Sequence, residues 1–259
     1  MDSIILLSLI PFLFIGAAFG SFLNVVIDRL STGRSILFGR SYCEHCKKTL
    51  KPIDLIPLVS YLLLNGKCRF CKATIPVRLF VVELICAATL ALIGFGYFNN
   101  YFTLPAAIFL GVTLFSFIGI FFADIEYGII PDALVVVSFF SSVLYLIATS
   151  APLTTHFLSA VGSFLFFLIL FLVTKGKGMG FGDVKLSLVL GLFLGFPNII
   201  AALYMAFLTG AGVSIILVVW RKIRFFGGTI PFGPFLIVSA IVAFFYGEEL
   251  IARFLASFM

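Results

Sequence analysis

Long apolar runs separated by short polar breaks fill most of the chain. They cover about Ile4 to Ile27, then roughly 78–97, 103–122, 131–149, 156–174, 184–196, 198–220 and 234–256. Most approach the roughly 20 residues a helix needs to cross about 30 Å of hydrocarbon. Backbone in lipid must satisfy its own hydrogen bonds, so runs of this length predict helices. The expected fold is an all-α polytopic membrane protein with about eight transmembrane helices. The run at 184–196 is short for a span, which makes the division at Pro197-Asn198 the weakest of the boundaries. Within the first run, Gly16, Gly20, Asn24 and Asp28 recur every four residues and share one helix face. Gly16-x-x-x-Gly20 predicts close helix packing. A buried amide at Asn24 needs hydrogen-bond partners, so that face meets protein or an aqueous pocket.

Composition excludes a soluble domain. Of 259 residues, 62% are hydrophobic and 11% charged, whereas soluble domains are about a quarter charged. Mean hydropathy is +1.24. Met1 to Ile27 does not read as a cleavable signal: only Asp2 precedes the run, no small-residue cleavage site follows it, and the positive charges come afterwards. Three segments result: a first transmembrane helix in 1–28, a polar insert in 29–76, and a membrane-embedded core of about seven helices in 77–259.

The insert carries Cys43-Glu44-His45-Cys46 and Cys68-Arg69-Phe70-Cys71. Two Cys-x-x-Cys pairs at this separation read as a four-thiolate zinc site, with Cys43, Cys46, Cys68 and Cys71 as ligands. His45 is the alternative ligand. So short and polar a segment folds poorly unaided, so metal binding is expected to supply its folding energy. With no open coordination position, the zinc is expected to be structural. Cys86 lies in an apolar run and reads as core.

The net charge of +6 is explained by topology rather than by nucleic acid. All Lys and Arg except Arg253 fall in or beside the insert, Asp124–Ile130, Lys175–Asp183 and Arg221–Ile230. The alternate loops, Tyr97–Thr103 and Ser150–Thr155, have none. The positive-inside rule places the insert and the Arg221-Lys222-Ile223-Arg224 cluster in the cytoplasm, where the cysteines stay reduced. An even number of spans puts both termini on one side.

Two acids stand out. Asp183 follows the glycine-broken stretch Lys175-Gly176-Lys177-Gly178-Met179-Gly180-Phe181-Gly182, and Asp124 ends the third run. A carboxylate at a membrane boundary is costly without a partner or a task. Two carboxylates in a low-dielectric site share one proton and titrate as a unit. The charged member can then activate water while the neutral one protonates a leaving amide. For the first acid, residue chemistry favours Asp124 but leaves Asp132 open. Asp132 follows Pro131 at a helix start, where the dipole favours negative charge. Glu126 reads as exposed. Asp2, Asp28, Glu44, Asp54, Glu248 and Glu249 read as solvated. Glu83, inside the second run, pairs with Arg78 or lines a site. His45 and His156 fall on opposite sides, which argues against a His-dependent nucleophile.

These residues resemble the type IV prepilin peptidases of the GxGD aspartyl protease group. The resemblance covers nearly the whole chain: Gly20-Ser21-Phe22-Leu23-Asn24, the cysteine tetrad, Ile56-Pro57-Leu58-x-Ser60-Tyr61, Asp124 with Ile130-Pro131-Asp132, Gly180-x-Gly182-Asp183-Val184-Lys185-Leu186, and Pro231-Phe232-Gly233-Pro234-Phe235. It implies that Asp124 and Asp183 are the catalytic pair, with Gly180, Gly182 and Lys185 supporting the motif. It further implies cleavage of the basic leader of prepilins or pseudopilins at the cytoplasmic face of the bacterial inner membrane. N-methylation with S-adenosyl-L-methionine is also implied. The alternatives are another intramembrane protease of the Gly-x-Gly-Asp type, which lacks this cysteine insert, a proton-coupled transporter and a non-enzymatic zinc-bearing scaffold. A transporter is disfavoured by the absence of an internal repeat and by acids at one face rather than the midplane.

Overall fold

The computed structural model describes residues 7–35, 39–220 and 230–256. Its helices are α1 (Ile10–Ser31), the short α2 (Val59–Leu63), α3 (Val77–Phe98), α4 (Leu104–Tyr127), α5 (Asp132–Ala148), α6 (Leu153–Val173), α7 (Phe181–Leu194), α8 (Asn198–Val219) and α9 (Gly233–Ala256). Eight apolar runs thus give eight long helices among the described residues. By length and composition, six of these can cross a membrane: α1, α3, α4, α6, α8 and α9. No strand occurs among the described residues beyond two isolated bridges. The Arg221–Arg224 cluster lies outside them.

The hydrophobic pattern drew several helices too short at one end. α1 continues through Asp28 and Arg29 to Ser31. α4 runs on to Tyr127, so Asp124, expected at the membrane end of the third helix, lies in its last turn. α7 begins at Phe181, so Asp183 is its third residue. Helical hydrogen bonding does not stop where hydropathy falls, and a charged terminal turn needs only a place for its side chain. The division at Pro197-Asn198 holds, since α7 ends at Leu194 and α8 starts at Asn198.

Two compact units divide at Phe122 and Ala123, inside α4. In the first, α1 packs antiparallel on α3 through the predicted stripe. A Cβ at Gly16 would lie 2.6 Å from the Cys86 carbonyl oxygen, and one at Gly20 would lie 2.6 Å from Glu83 Cα. Both positions therefore require glycine for backbone approach. One turn on, Asn24 Nδ2 donates to the Leu79 carbonyl at 3.0 Å. Another turn on, Arg78 Nη2 donates to Asp28 Oδ1 at 2.6 Å. Asp28 is thus ion-paired rather than simply solvated.

In the second unit α7 is the hub. At 14 residues it is only about 21 Å long, short of a bilayer core. It tolerates this because ten of those residues are buried, so its surroundings are protein rather than lipid. Its closest approach is to α6, where a Cβ on Gly191 would meet the Ser159 carbonyl oxygen at 2.5 Å. Ser163 Oγ donates to the Ser187 carbonyl at 2.8 Å across the same contact. This packing fixes the N-terminus of α7, and with it Asp183.

Candidate functional site

Asp124 and Asp183 both lie in the second unit and both are buried, each 6% exposed. Asp124 Oδ2 accepts the Gly233 N–H at 3.0 Å, at the first residue of α9. Asp183 Oδ2 accepts the N–H of Gly180 at 3.2 Å, the residue before α7. Each carboxylate therefore sits at a helix N-terminus, where N–H groups lack helical partners and the dipole favours negative charge. Ile130 packs against the backbone beside each of them. A Cβ at Gly182 would lie 3.0 Å from Ile130 Cβ, and one at Gly233 would lie 3.4 Å from Ile130 Cδ1. Gly182, which precedes Asp183, and Gly233, whose N–H is held by Asp124, thus both pack on one isoleucine.

Gly233 was not singled out from sequence for any chemical task. Its position is set by Phe232, which packs on the rings of Phe167 and Phe207 at 6.3 and 5.2 Å. A Cβ at Gly233 would lie 2.6 Å from Asp124 Oδ2. The obstructed atom is the end of a side chain, so Gly233→Ala is expected to fold normally while turning the Asp124 carboxylate away. A displacement of about 1 Å can cost on the order of 100-fold in rate. Steady-state activity of Gly233→Ala, alongside its thermal stability in detergent, checks this: reduced activity with unchanged stability is expected.

Asp132 starts α5, as an acid after Pro131 should, and lies at the surface. It is 70% exposed on its side chain and accepts Lys185 Nζ at 2.6 Å. Lys185 also lies 5.3 Å over the Phe181 ring, so the lysine ties the start of α7 to α5. Glu126 is exposed, as expected. Other sequence readings need correction. Glu83 does not take Arg78 as its partner; its Oε2 accepts the Leu58 N–H at 2.7 Å, while Arg78 goes to Asp28. Asp54 is not solvated: it takes Arg69 Nε at 2.6 Å, and its side chain is 3% exposed. His156 Nδ1 lies 2.8 Å from the Leu192 carbonyl oxygen, a structural contact at the end of α7.

The first unit holds the cysteines. The Sγ atoms of Cys43, Cys46, Cys68 and Cys71 all lie within 4.8 Å of one another, without His45. Cys43 and Cys71 are 3.8 Å apart. Tetrahedral zinc with bonds of about 2.3 Å separates sulfurs by about 3.8 Å, so the donor set fits that ion. All are free thiols. The two halves repeat each other. Cys43 N–H donates to Lys48 O and Cys68 N–H to Ala73 O, at 2.9 and 2.8 Å. Leu50 N–H donates to Ser41 O and Ile75 N–H to Gly66 O, at 2.9 and 2.7 Å. Lys47 and Lys72 take matching positive φ of 57° and 60°. N–H groups of Cys71 and Phe70 push the Cys68 thiol down to about 6. The Ala73 N–H favours a thiolate at Cys71, but burial and the neighbouring sulfurs push it up to about 11. Crowded sulfurs of this kind call for a cation between them. Cys86 is fully buried in α3, as expected of core.

The fold and this site define an all-helical, multi-pass membrane protein with two buried aspartates and a four-cysteine cluster. Comparison narrows the class. The bacterial peptidase A24 N-terminal domain matches residues 14–97, and the type IV leader peptidase family matches residues 112–215. The prepilin leader peptidase/N-methyltransferase of Bacillus subtilis is 30% identical over 245 residues, covering 93% of this chain and 95% of that protein. The enzyme of the same name from Pseudomonas aeruginosa is 31% identical over 272 residues, covering 93% and 91%. That from Aeromonas hydrophila is 29% identical over 269 residues, covering 93% and 91%. No solved structure matches. The chain belongs to the type IV leader peptidase family.

Proposed function

We propose that this protein is a membrane aspartyl endopeptidase that removes the basic leader of prepilins or pseudopilins and then N-methylates the new terminus. The observation that carries this is the burial of Asp124 and Asp183 together, each on a helix N-terminus, in a chain whose relatives are named for that activity. The substrate's apolar helix lies in the bilayer and its leader in the cytoplasm, on the side that the positive-inside rule gives the Lys- and Arg-bearing loops. The scissile bond then reaches the level of the pair. The ionised aspartate takes a proton from water as that water adds to the peptide carbonyl. The protonated aspartate polarises the carbonyl and then protonates the departing nitrogen, giving a carboxylate and an amine. The Gly233 N–H orients Asp124 throughout. Lys185 is paired with Asp132, and exposed Glu126 stands two residues from Asp124, so the rim is not uniformly repulsive to a basic leader.

Cys43, Cys46, Cys68 and Cys71 would hold a zinc ion, which would supply structure by neutralising the thiolates and joining the two knuckles. S-adenosyl-L-methionine would supply the methyl group. That step rests on the relatives' names alone, since the described residues offer no strand-to-helix glycine turn of the soluble methyltransferases.

Membranes containing the protein, mixed with a prepilin and S-adenosyl-L-methionine, test the reading by mass spectrometry of the pilin N-terminus. The expected product lacks its leader and is heavier by one methyl group. An intact leader after prolonged incubation with folded protein overturns the proposal. Cleavage without the added methyl removes the second activity only.

A further inference from the structure

The catalytic reading leaves a surface of the first unit unused. α2 and the turn before it carry large apolar side chains on the outside: Ile53, Ile56, Val59, Leu62 and Leu63, with Leu62 62% and Leu63 75% exposed. So many exposed aliphatic groups in a small polar insert indicate a partner. The opposite side of α2 is anchored. The Tyr61 ring stacks on Phe80 at 5.0 Å, and the Leu58 N–H is held by Glu83 at 2.7 Å. Leu58 has φ of +61°, a conformation leucine rarely adopts, so these contacts hold the segment in a specific pose.

Those anchors fix depth. Phe80 and Glu83 lie three and six residues past the start of α3 at Val77, about 4.5 and 9 Å along its axis. α3 is one of the membrane-length helices. A segment docked on its first two turns is therefore held at the level where headgroups give way to acyl chains, and its outward apolar side chains face lipid there. The insert's charge agrees. Residues 32–76 hold eight Lys or Arg against two acids, a surplus equal to the net +6 of the whole chain. Four of these cations, Arg40, Lys47, Lys48 and Lys51, line a groove of about 570 Å³ with Phe70, and among the described residues no carboxylate lines it. Lys48 lies 5.1 Å over the Phe70 ring.

We infer that residues 53–63 form an interfacial element of the same membrane, with the apolar side chains of α2 in the acyl boundary and the Arg40, Lys47, Lys48, Lys51 groove holding anionic phospholipid headgroups. Apolar residues beside a basic rim are the composition of surface-lying membrane segments. The aliphatic surface supplies depth, and the cations select the lipid.

The test uses full-length protein in nanodiscs of mixed phosphatidylcholine and phosphatidylglycerol. In a Trp220→Phe background, Leu63→Trp supplies a single fluorophore, with Leu62→Trp as a second reporter. Phosphatidylcholine brominated on its acyl chains is expected to quench at least half of this emission, and aqueous iodide very little. Quenching by iodide but not by brominated lipid overturns the inference in favour of a water-facing segment. Protection from both overturns it in favour of a protein cover, such as a second copy or a substrate. For the groove, a Lys47→Gln, Lys48→Gln, Lys51→Gln variant with wild-type metal content is expected to retain several-fold less phosphatidylglycerol after detergent extraction. Equal retention overturns the headgroup assignment.

Discussion

Replacing Asp124 or Asp183 with Asn is expected to abolish leader cleavage while leaving the fold intact. Asn matches the volume of Asp, and its side-chain oxygen can still accept the N–H of Gly233 or Gly180, so each helix N-terminus keeps a hydrogen-bond acceptor. What is lost is the carboxyl group's ability to take up and release a proton. A positioned general acid or base contributes about 10²- to 10⁴-fold, so each variant is expected to fall by roughly 10³-fold or more. Because the two acids act on one water and one peptide bond, their losses should not add, and the double variant should be about as inactive as either single one. Glu126→Gln is the control, an exposed acid beside the pair, expected to cleave at nearly the wild-type rate. The measurement is the mature pilin band as a function of time in membranes with matched protein levels. Substantial cleavage by either single variant removes the two-aspartate mechanism.

Much of this was legible in the sequence because membrane segments announce themselves by composition. Eight apolar runs became eight helices, and the small-residue stripe from Gly16 to Asp28 was used along its whole length against α3. The cysteine spacing implied a cluster, and the four sulfurs do cluster. Partner choice was not legible. Arg78 and Glu83 lie five residues apart on one helix, yet each bonds elsewhere, Arg78 to α1 and Glu83 to the insert. Local spacing says which side chains share a helix face; it does not say what the neighbouring element presents to them. Gly233 illustrates the same limit, since its hydrogen bond to Asp124 spans 109 positions. One sequence signal was readable and went unused. Cys-x-x-Cys-Lys-x-Thr occurs twice, at Cys43–Thr49 and Cys68–Thr74, and each copy forms the same knuckle with a left-handed lysine.

Removing the metal is expected to unfold the insert and spare the membrane helices. Among residues 39–76 only Cys68 is buried. The insert therefore has no hydrophobic core from which to draw stability, and an ion pair such as Arg69 with Asp54, whose arginine is 42% exposed, adds little. A structural zinc site can supply about 10–16 kcal/mol at neutral pH. Without the ion, four sulfurs within 4.8 Å repel as they ionise, and the knuckles lose what joins them. The α1–α3 pair should survive, because Gly16 and Gly20 pack it independently of the cysteines. Limited trypsin digestion reads the difference, since Lys47, Lys48, Lys51, Lys67, Arg69 and Lys72 all lie in the affected region. After treatment with a strong chelator, cleavage there should accelerate at least about tenfold, with the membrane fragments otherwise intact. Zinc should restore resistance and magnesium should not, because soft thiolates select the former. Cys68→Ser should show the digested pattern without chelator, as it removes both the buried ligand and the thiol most readily ionised. Unchanged trypsin resistance in protein shown by elemental analysis to be metal-free would mean that the knuckles hold themselves together, and the structural role assigned to zinc would fall.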